Sequence, residues 1–365
     1  MVAEPYNSLN AASLLRMMVD TDASDLHLKA GIPPILRING ELRSQDLPPL
    51  SPSGLESILR EIASEEQRAR FEAEKELDFS CAAEGIGRFR VNAALQRDTI
   101  TLAFRLVKEQ IPSLADLRLP GVCERLALGP RGLVLVTGPT GCGKSTTLAA
   151  MIDHLNTREK RHVVSIEDPI EYVHKNKQCI ISQRELGEDT RSYEAALTHA
   201  LRQDPDVILV GEMRDLATIS AALTAAETGH LVLTTLHTPS APQTVDRIID
   251  VFPPHQQQQV RVQLSLVLEA VLCQTLLPRA DGSGRVAAIE IMIATSAIRN
   301  LIREGKTHQL PNVIQTGAQF GMRSLDQDLA ALCRDGIITM DEAVSRCQSP
   351  DELRRLLGMR ESMAA

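Results

Sequence analysis

The stretch GLVLVTGPTGCGKSTTL, residues 132–148, decides the fold of this chain. Residues 133–136 are an apolar run of strand length, G-x-x-x-x-G-K-S runs from Gly138 to Ser145, and a helical pattern begins at Thr146. In a strand–loop–helix of this kind, the loop amides and the helix dipole together hold phosphate oxygens. The stretch therefore predicts a loop that binds a nucleoside triphosphate.

The residue types in the loop fit that chemistry. Gly138, Gly141 and Gly143 let the backbone bend tightly and approach the phosphates. Lys144 supplies a positive charge for the β- and γ-phosphates, and Ser145 supplies a hydroxyl for Mg²⁺. We predict that ATP contacts the whole loop, which consists of Gly138, Pro139, Thr140, Gly141, Cys142, Gly143, Lys144, Ser145 and Thr146.

Composition bounds the class of protein. With 365 residues the chain is long enough for two or three domains, and 43% hydrophobic and 24% charged residues are ordinary values for a soluble globular protein. A net charge of −8 and only 2% aromatic residues argue against a nucleic-acid partner. The seven cysteines contain no C-x-x-C pair, which fits a reducing cytosol, and no apolar run approaches the ~18 residues of a transmembrane segment. We therefore expect a cytoplasmic protein without a transmembrane segment.

The N-terminal third predicts an α/β domain with an antiparallel sheet. The pattern indicates a helix at 7–19, a strand at 24–29, a hairpin at 35–42 around Asn39-Gly40, a helical stretch at 51–71 that begins near Pro52, and three strands within 77–107. Arg88, Arg90, Arg97 and Arg105 crowd the last part of this domain. These arginines either form a solvated sheet face or reach a phosphate held by a neighbouring subunit, and the sequence leaves both alternatives open.

The remaining chain predicts a nucleotide domain with a parallel sheet. Two prolines mark residues 111–120 as a linker, and the runs HVVSIE, DVILVGE and HLVLTTLH alternate with helical stretches, as in βαβ units. From Ser296 onward the pattern is helical. The predicted domains are 1–108 (N-terminal), 109–120 (linker), 121–295 (nucleotide-binding) and 296–365 (C-terminal helical).

Three later segments supply candidates for hydrolysis, which needs an oriented water and positive charge on the transition state. Glu212 ends the buried strand DVILVGE, where it can reach Mg²⁺ through water or polarise the attacking water; a purely structural carboxylate is the alternative. Glu167 and Glu171, in IEDPIEY, are candidates for metal or water contact, because crowded acids repel one another unless cations share them. Asp168 is expected to form a turn before Pro169, and the alternative for this segment is a polar loop capped by Asp-Pro.

Two histidines flank the strand LVLTTL. His237 ends the strand at the sheet edge that carries the phosphate loop, so it is placed to sense the γ-phosphate. His230, near the start of the strand, has either a functional role or a hydrogen-bonding role in the core.

Together these segments resemble one family. GPTGCGKST, IEDPIEY, DVILVGEMRD and GHLVLTTLHT are similar to the Walker A, Asp box, Walker B and His box of the secretion ATPases of type II secretion and type IV pili. SDLHL, GIPPILRINGEL, TAAETGHL, DRIIDVFP, GRVAAIEIM and AIRNLIREGK resemble the PilT-type retraction ATPases in particular. The likeness extends over essentially the whole chain.

The resemblance implies a PAS-like N-terminal domain, a RecA-like ATPase domain and C-terminal helices, assembled as a ring of six. It also implies an ATP site completed by arginines of the PAS-like domain, for which we choose Arg88, Arg97 and Arg105. It implies pilus retraction at the cytoplasmic face of the inner membrane, with force passed to a PilC-like platform protein through helices that carry Arg299 and Arg303.

Several alternatives stay open at this point. A PilU-like accessory motor is the nearest; AIRNLIREGK favours the PilT type. A pilus-assembly or type II secretion ATPase usually carries a tetracysteine zinc insertion, which the segment 273–285 lacks. A RecA-like nucleic-acid translocase is opposed by composition. A scaffold that binds ATP without turnover is opposed by the presence of Glu167, Glu171 and Glu212.

Overall fold

The computed structural model describes residues 9–38, 40–107 and 110–358. The chain divides into two compact units, Met1–Glu109 and Gln110–Ala365. The predictions that fall on Asn7, Asn39 and Lys108 lie outside the described residues. In the part of the chain that is described, no helix is both long and apolar enough to span a bilayer.

The N-terminal unit, over its described residues, is a six-stranded antiparallel sheet of order β3-β2-β1-β6-β5-β4 with helices against it. Its elements are α1 (Ala11–Asp20), β1 (Asp25–Lys29), β2 (Ile35–Ile38), β3 (Glu41–Ser44), α2 (Pro52–Ile62), α3 (Glu65–Glu74), β4 (Glu76–Ala83), β5 (Gly87–Gln96) and β6 (Thr99–Leu106). Alternate strand residues such as Leu26, Phe89 and Phe104 are buried with the apolar faces of α1 and α2, which forms the core of this unit.

One helical boundary differs from the expectation. The stretch 51–71 forms two helices because Ala63 leaves the helical conformation and Ser64 starts α3 with a capping box to Gln67. A serine and a glutamine three residues apart satisfy the first amides of a new helix, so the chain turns there despite continuous helical periodicity. Pro52 lies in the first turn of α2, as predicted.

The C-terminal unit contains, among its described residues, a seven-stranded sheet of order β13-β12-β7-β11-β10-β8-β9. Its strands are β7 (Gly132–Thr137), β8 (His162–Glu167), β9 (Ile180–Glu185), β10 (Val207–Val210), β11 (Leu231–Leu236), β12 (Leu268–Pro278) and β13 (Arg285–Ile293). Its helices are α4 (Val122–Ala127), α5 (Lys144–Asn156), α6 (Tyr193–Ala200), α7 (Leu216–Glu227), α8 (Ala241–Asp250), α9 (Pro254–Val267), α10 (Ser296–Arg303), α11 (Leu310–Thr316), α12 (Leu325–Arg334), α13 (Met340–Arg346) and α14 (Pro350–Leu356), with 3₁₀ turns at Thr307–Gln309 and Ala318–Phe320.

The predicted parallel sheet is confirmed for the four predicted strands β7, β8, β10 and β11, whereas β13, which was not predicted, runs antiparallel. β13 pairs antiparallel with β12, from Ala270 opposite Ile293 to Pro278 opposite Arg285. The short turn between them allows only a hairpin, because a parallel connection needs a crossover of a dozen or more residues. β9 and the β12–β13 hairpin were not predicted as strands, although the runs of β12 and β13 are largely apolar.

The order of the parallel strands positions the predicted segments at one edge. β7 pairs with β11, β11 with β10, and β10 with β8, all parallel and in register. Their carboxyl ends therefore meet along one edge, where ligands bind in open α/β sheets. The phosphate loop, His237, Glu212 and Glu167 each follow or end one of these strands.

Arg299, on α10, caps the C-terminal end of α9. Its guanidinium donates to the carbonyls of Ser265 at 2.9 Å and Leu266 at 2.8 Å, and it pairs with Glu269 at 2.8 Å. The last carbonyls of a helix have no partner within the helix, so a cation is favourable there. The structure thus gives Arg299 a role in joining α10 to α9, whereas Arg303, in the last turn of α10, is exposed.

We expect Arg299→Gln to lower the free energy of unfolding by about 1–2 kcal/mol, because it removes charge-assisted hydrogen bonds to the end of α9. Arg303→Gln, on the same helix and exposed, should change it by less than about 0.5 kcal/mol. Urea unfolding of both variants measures the difference. Equal stability of the two variants would contradict a capping role for Arg299.

Candidate active site

The phosphate loop connects β7 to α5 in the shape that the sequence predicts. Gly138, Gly141 and Gly143 have φ values of 135°, 79° and 88°, which only glycine adopts readily. Gly143 starts α5 without a side-chain cap, so the first amides of this helix remain directed toward the cavity. Lys144 is buried, and its ammonium donates to the carbonyl oxygens of Gly138 at 2.9 Å and Pro139 at 3.2 Å.

A cavity of about 710 Å³ opens in front of this loop. It brings together most of the predicted residues: Thr140, Gly141, Gly143, Lys144, Ser145, Thr146, Glu167, Glu171, Glu212 and His237 all line it. Pro139 is exposed on the loop, while Gly138 and Cys142 are buried beneath it. Burial raises the pKa of the Cys142 thiol, which keeps it in the neutral form.

Glu212 and His237 form a polar chain with Lys144. Nε2 of His237 lies 3.2 Å from Oε1 of Glu212, and Nδ1 of the same ring lies 3.4 Å from Nζ of Lys144. Oε2 of Glu212 accepts from Nε of Arg214 at 2.9 Å. The acid at the end of β10 is therefore linked through one imidazole to the lysine of the phosphate loop.

The acids of IEDPIEY differ in their surroundings. Glu167 accepts from the hydroxyl of Ser165 at 2.7 Å and from Nε2 of Gln183 at 3.1 Å. Burial nevertheless raises the pKa of the Glu167 carboxyl, because the hydrogen bonds only partly offset the loss of solvation. Glu171 is exposed at the cavity wall, and Asp168 lies in the turn after β8, as predicted.

The phosphate loop also has partners that the sequence analysis did not identify. Gln274, on β12, accepts from the hydroxyl of Thr147 at 2.8 Å and donates to the carbonyl oxygen of Cys142. Tyr172 shares a hydrogen bond of 3.0 Å with Thr146. The signal for Gln274 was a polar residue inside the apolar run LEAVLCQTLL, which in a buried strand needs a hydrogen-bonding partner.

Arg214 is a further residue of the site that the sequence analysis did not select. Its guanidinium lies between Glu212 and Asp168, with Nη1 3.6 Å from Oδ2 of Asp168. The hydrogen bond that Arg214 donates to Glu212 raises the pKa of Arg214. Because acids crowd this part of the sequence, a cation was expected to lie between them. Arg214, in the segment GEMR, was the residue that could have been selected for that position.

His230 lies at the opposite end of β11 from His237, roughly 20 Å away along the strand. Its Nδ1 is 2.9 Å from the carbonyl oxygen of Ala225 and 3.2 Å from the hydroxyl of Thr228. It therefore closes the turn between α7 and β11. The geometry favours the hydrogen-bonding alternative for His230 over a role at the cavity.

Three of the four arginines singled out in the N-terminal unit, Arg88, Arg90 and Arg105, lie on the polar face of its sheet. Arg90 and Asp25 are both opposite Arg105 in neighbouring strands, so these three side chains share one face. Nε of Arg105 pairs with Oδ1 of Asp25 at 2.8 Å, and Asp25 is buried. Arg88 shares the face of Arg90, and Arg97 is exposed in the β5–β6 turn with a φ of 50°.

His174 lines the cavity, and its protonation state has a consequence for stability. Burial lowers the pKa of His174 to about 4, so the folded protein holds the ring neutral. An unfolded histidine has a pKa of about 6.5. The free energy of unfolding is therefore not reduced by His174 above about pH 6.5. It falls as the pH drops toward 4, because the unfolded state then binds a proton at His174 that the folded state does not bind.

We therefore expect the free energy of unfolding to fall between pH 6.5 and pH 5 by up to about 2 kcal/mol more in the wild-type protein than in His174→Gln. Urea unfolding at several pH values measures this difference. His255→Gln, which changes an exposed residue of α9, serves as the control and should keep the wild-type pH dependence. Identical pH dependence in wild type and His174→Gln would contradict the assignment.

A phosphate loop on the edge of a parallel sheet, with one strand between the loop strand and the Walker B strand, defines a P-loop ATPase of the RecA-like class. Residues 103–345 match the family described as type II/IV secretion system protein. The chain belongs to that family.

Two relatives and one crystal structure show which members of the family this chain resembles. The chain is 49% identical to the type IV pilus retraction ATPase PilT of Pseudomonas aeruginosa over 94% of this chain and 99% of that protein. It is 44% identical to the type IV pilus ATPase PilU of the same organism over 94% of this chain and 91% of that protein. It resembles the crystal structure of the pilus retraction motor PilT with bound ADP with a TM-score of 0.90, at 46% identity, covering 95% of this chain and all of that one. These findings confirm the predicted family and fold class.

Proposed function

We propose that this chain is a hexameric ATPase motor that uses ATP hydrolysis to retract type IV pili and so supports twitching motility. The observation that supports this most strongly is that the similarity to PilT extends through both units and the C-terminal helices. A similarity confined to the nucleotide-binding core would support ATP hydrolysis without indicating the work that it drives.

The cavity supports the chemistry of that motor. In the proposal, the loop 138–146 holds the phosphates, with Lys144 at the β- and γ-phosphates. Glu212 orients or polarises the attacking water, with Glu167 and Glu171 as alternative acids. His237 responds to the γ-phosphate, because it already contacts both Lys144 and Glu212.

The residues also fit Mg²⁺ as a cofactor. Ser145 and Glu212 offer oxygen donors on the same cavity, and oxygen is the ligand that Mg²⁺ prefers. Within the described residues, no group of three or more His, Cys, Asp or Glu side chains could hold a metal by itself. That fits Mg²⁺, which is usually held by few protein ligands together with water and phosphates. When bound, it supplies charge neutralisation and polarisation of the transferred phosphoryl group.

Arg88, Arg97 and Arg105 remain candidates for acting on a phosphate held by a neighbouring subunit of the ring. Arg105 is the best supported, since its side chain is 65% exposed while Asp25 holds its Nε in place. In the proposal its loss lowers turnover only in the assembled ring, because the phosphate belongs to another copy.

The proposal also places the motor at the cytoplasmic face of the inner membrane, working on a PilC-like platform protein. Arg303 is exposed on α10 and is the better candidate of the two predicted coupling arginines, because Arg299 is held by α9. No nucleic-acid partner is part of the proposal.

The test is complementation of a strain that lacks its retraction ATPase, with wild-type protein and with Glu212→Gln. We expect wild-type protein to restore twitching, and the variant to leave the cells piliated and non-motile. Failure of the wild-type protein to restore twitching in this strain would contradict the proposal and would instead be expected of a pilus-assembly or secretion ATPase.

A PilU-like accessory motor is the second candidate, favoured by the similarity to PilU. An accessory motor would restore twitching only in a strain that still has its PilT-type ATPase. Restoration in the absence of that ATPase therefore separates the two candidates.

A further inference from the structure

Polar side chains form a continuous chain across the cavity, from Asp168 through Arg214, Glu212 and His237 to Lys144. The roles proposed above use Lys144, Glu212 and His237. Arg214 has no part in phosphate binding in that scheme, although it makes the shortest contact to Glu212 in the chain. Its position therefore needs an explanation.

The two oxygens of Glu212 have different partners. Oε2 accepts from Nε of Arg214 at 2.9 Å, whereas Oε1 lies 3.2 Å from Nε2 of His237. A charge-assisted hydrogen bond from a guanidinium, whose donor directions are fixed, restricts where Oε2 can lie. The carboxyl group is rigid, so the range of directions open to Oε1 is restricted as well.

The two contacts also differ in how they respond to a phosphate. His237 contacts Lys144, whose ammonium is expected to turn toward the β- and γ-phosphates. Nucleotide binding can therefore move His237 and alter its contact with Glu212. Arg214 is instead anchored on Asp168, in the turn that follows β8. The contact between Arg214 and Glu212 can therefore persist when a nucleotide binds.

We propose that Arg214 is a positioning residue that holds one oxygen of Glu212 so that the other is directed at the attacking water. This inference rests on the proposed role of Glu212 in hydrolysis. It assigns Arg214 to the orientation of the acid and gives it no contact with the nucleotide.

The chemistry of arginine matches this role better than that of lysine. Arg214 has to contact the carboxylates of Glu212 and Asp168 at the same time, and a planar guanidinium with five donors can span both. A lysine ammonium at this place supplies the charge without the fixed directions. The side chain of Arg214 is also 57% exposed, so its truncation leaves the core intact.

The experiment measures steady-state ATP turnover of the full-length assembled protein with Arg214→Ala. We expect kcat to fall on the order of tenfold to a hundredfold, the range seen when groups that orient a reacting residue are removed. The KM for ATP and the Kd for ADP should stay within about twofold, because Arg214 does not contact the phosphates in this scheme. Guanidinium ion added at low millimolar concentration should restore kcat severalfold, and Arg214→Lys should recover less than half of it.

Arg43→Ala is the matched control, because Arg43 also pairs with a glutamate two residues earlier, Glu41, at 3.1 Å on an exposed strand. We expect wild-type kcat for this variant and no response to guanidinium. A kcat within twofold of wild type for Arg214→Ala overturns the inference, and so does a loss of kcat that guanidinium leaves unchanged.

Glu212→Gln, assayed in parallel, separates failure of this inference from failure of the proposed function. An inactive Glu212→Gln beside a fully active Arg214→Ala refutes only the role of Arg214. A fully active Glu212→Gln refutes the role of Glu212 in hydrolysis, and the inference about Arg214 falls with it.

Discussion

Glu212→Gln is expected to lower the kcat for ATP hydrolysis by a factor of about 10²–10⁴ while leaving ADP binding nearly unchanged. The amide has the shape of the carboxylate and can still accept a hydrogen bond from Arg214, so the cavity keeps its form. It has lost the negative charge and the basic oxygen that orient and polarise the attacking water. Removal of a positioned acid–base group typically costs this much in rate.

Phosphate release by the assembled protein and titration with a fluorescent ADP analogue measure the two quantities separately. Glu159→Gln is the control, because Glu159 is a half-exposed acid that does not line the cavity. Near-normal turnover in Glu212→Gln would transfer the role to Glu167 or Glu171. In that case the same substitution at Glu167 should reduce kcat.

Gly138→Ala is expected to abolish nucleotide binding and to destabilise the C-terminal unit by about 3 kcal/mol. A methyl group at this position would overlap the carbonyl oxygen of Gln274 and lie 2.8 Å from the sulfur of Cys142. The φ of 135° adds strain, because a residue with a Cβ atom rarely adopts it. Overpacking and backbone strain each cost about 1–3 kcal/mol, and the clash is with main chain that can yield only if the loop moves.

Thermal unfolding should show a midpoint lower by roughly 10 °C, and ADP should no longer raise it. Gly187→Ala is the matched control, since Gly187 has a φ of 90° with no atom near the added methyl group. That variant should lose only about 1 kcal/mol. Equal stability of the two variants would show that the close contact between Gly138 and the main chain of β12 does not limit the size of the residue at position 138.

The phosphate loop and the acids of the cavity could be predicted because their signals are local. The spacing of the loop glycines fixes backbone shape within a few residues, and the strand runs before Glu167, Glu212 and His237 are each visible in isolation. The carboxyl ends of parallel strands share an edge, so these residues had to meet once the strands were identified. The fold of the N-terminal unit followed in the same way from alternating strands.

The parts that were missed depend on pairing between distant segments. Gln274 is more than a hundred residues from the loop that it holds, and nothing in its own neighbourhood indicates which strand β12 will join. The bridge from Arg214 to Asp168 likewise exists only because β10 and β8 are adjacent in the sheet. The arginines of the N-terminal unit were chosen on a resemblance, because a role on a neighbouring subunit leaves no pattern in the sequence of one chain.

The strand order also determines when during synthesis the phosphate loop can become stable. β7 is the first strand of its sheet to leave the ribosome, yet its hydrogen-bonded neighbours are β11 and β12, which end at Leu236 and Pro278. Pairings this distant in sequence are slow to form, because a long loop must close before any contact compensates for it.

A nascent chain that stops short of β12 therefore carries the complete nucleotide motif without the strand that holds it in shape. Such a chain should bind ATP poorly, so nucleotide binding reports completed synthesis of the ATPase unit. The same delay leaves apolar β7 unpaired while residues 138–230 are synthesised, and an apolar strand without a partner favours aggregation.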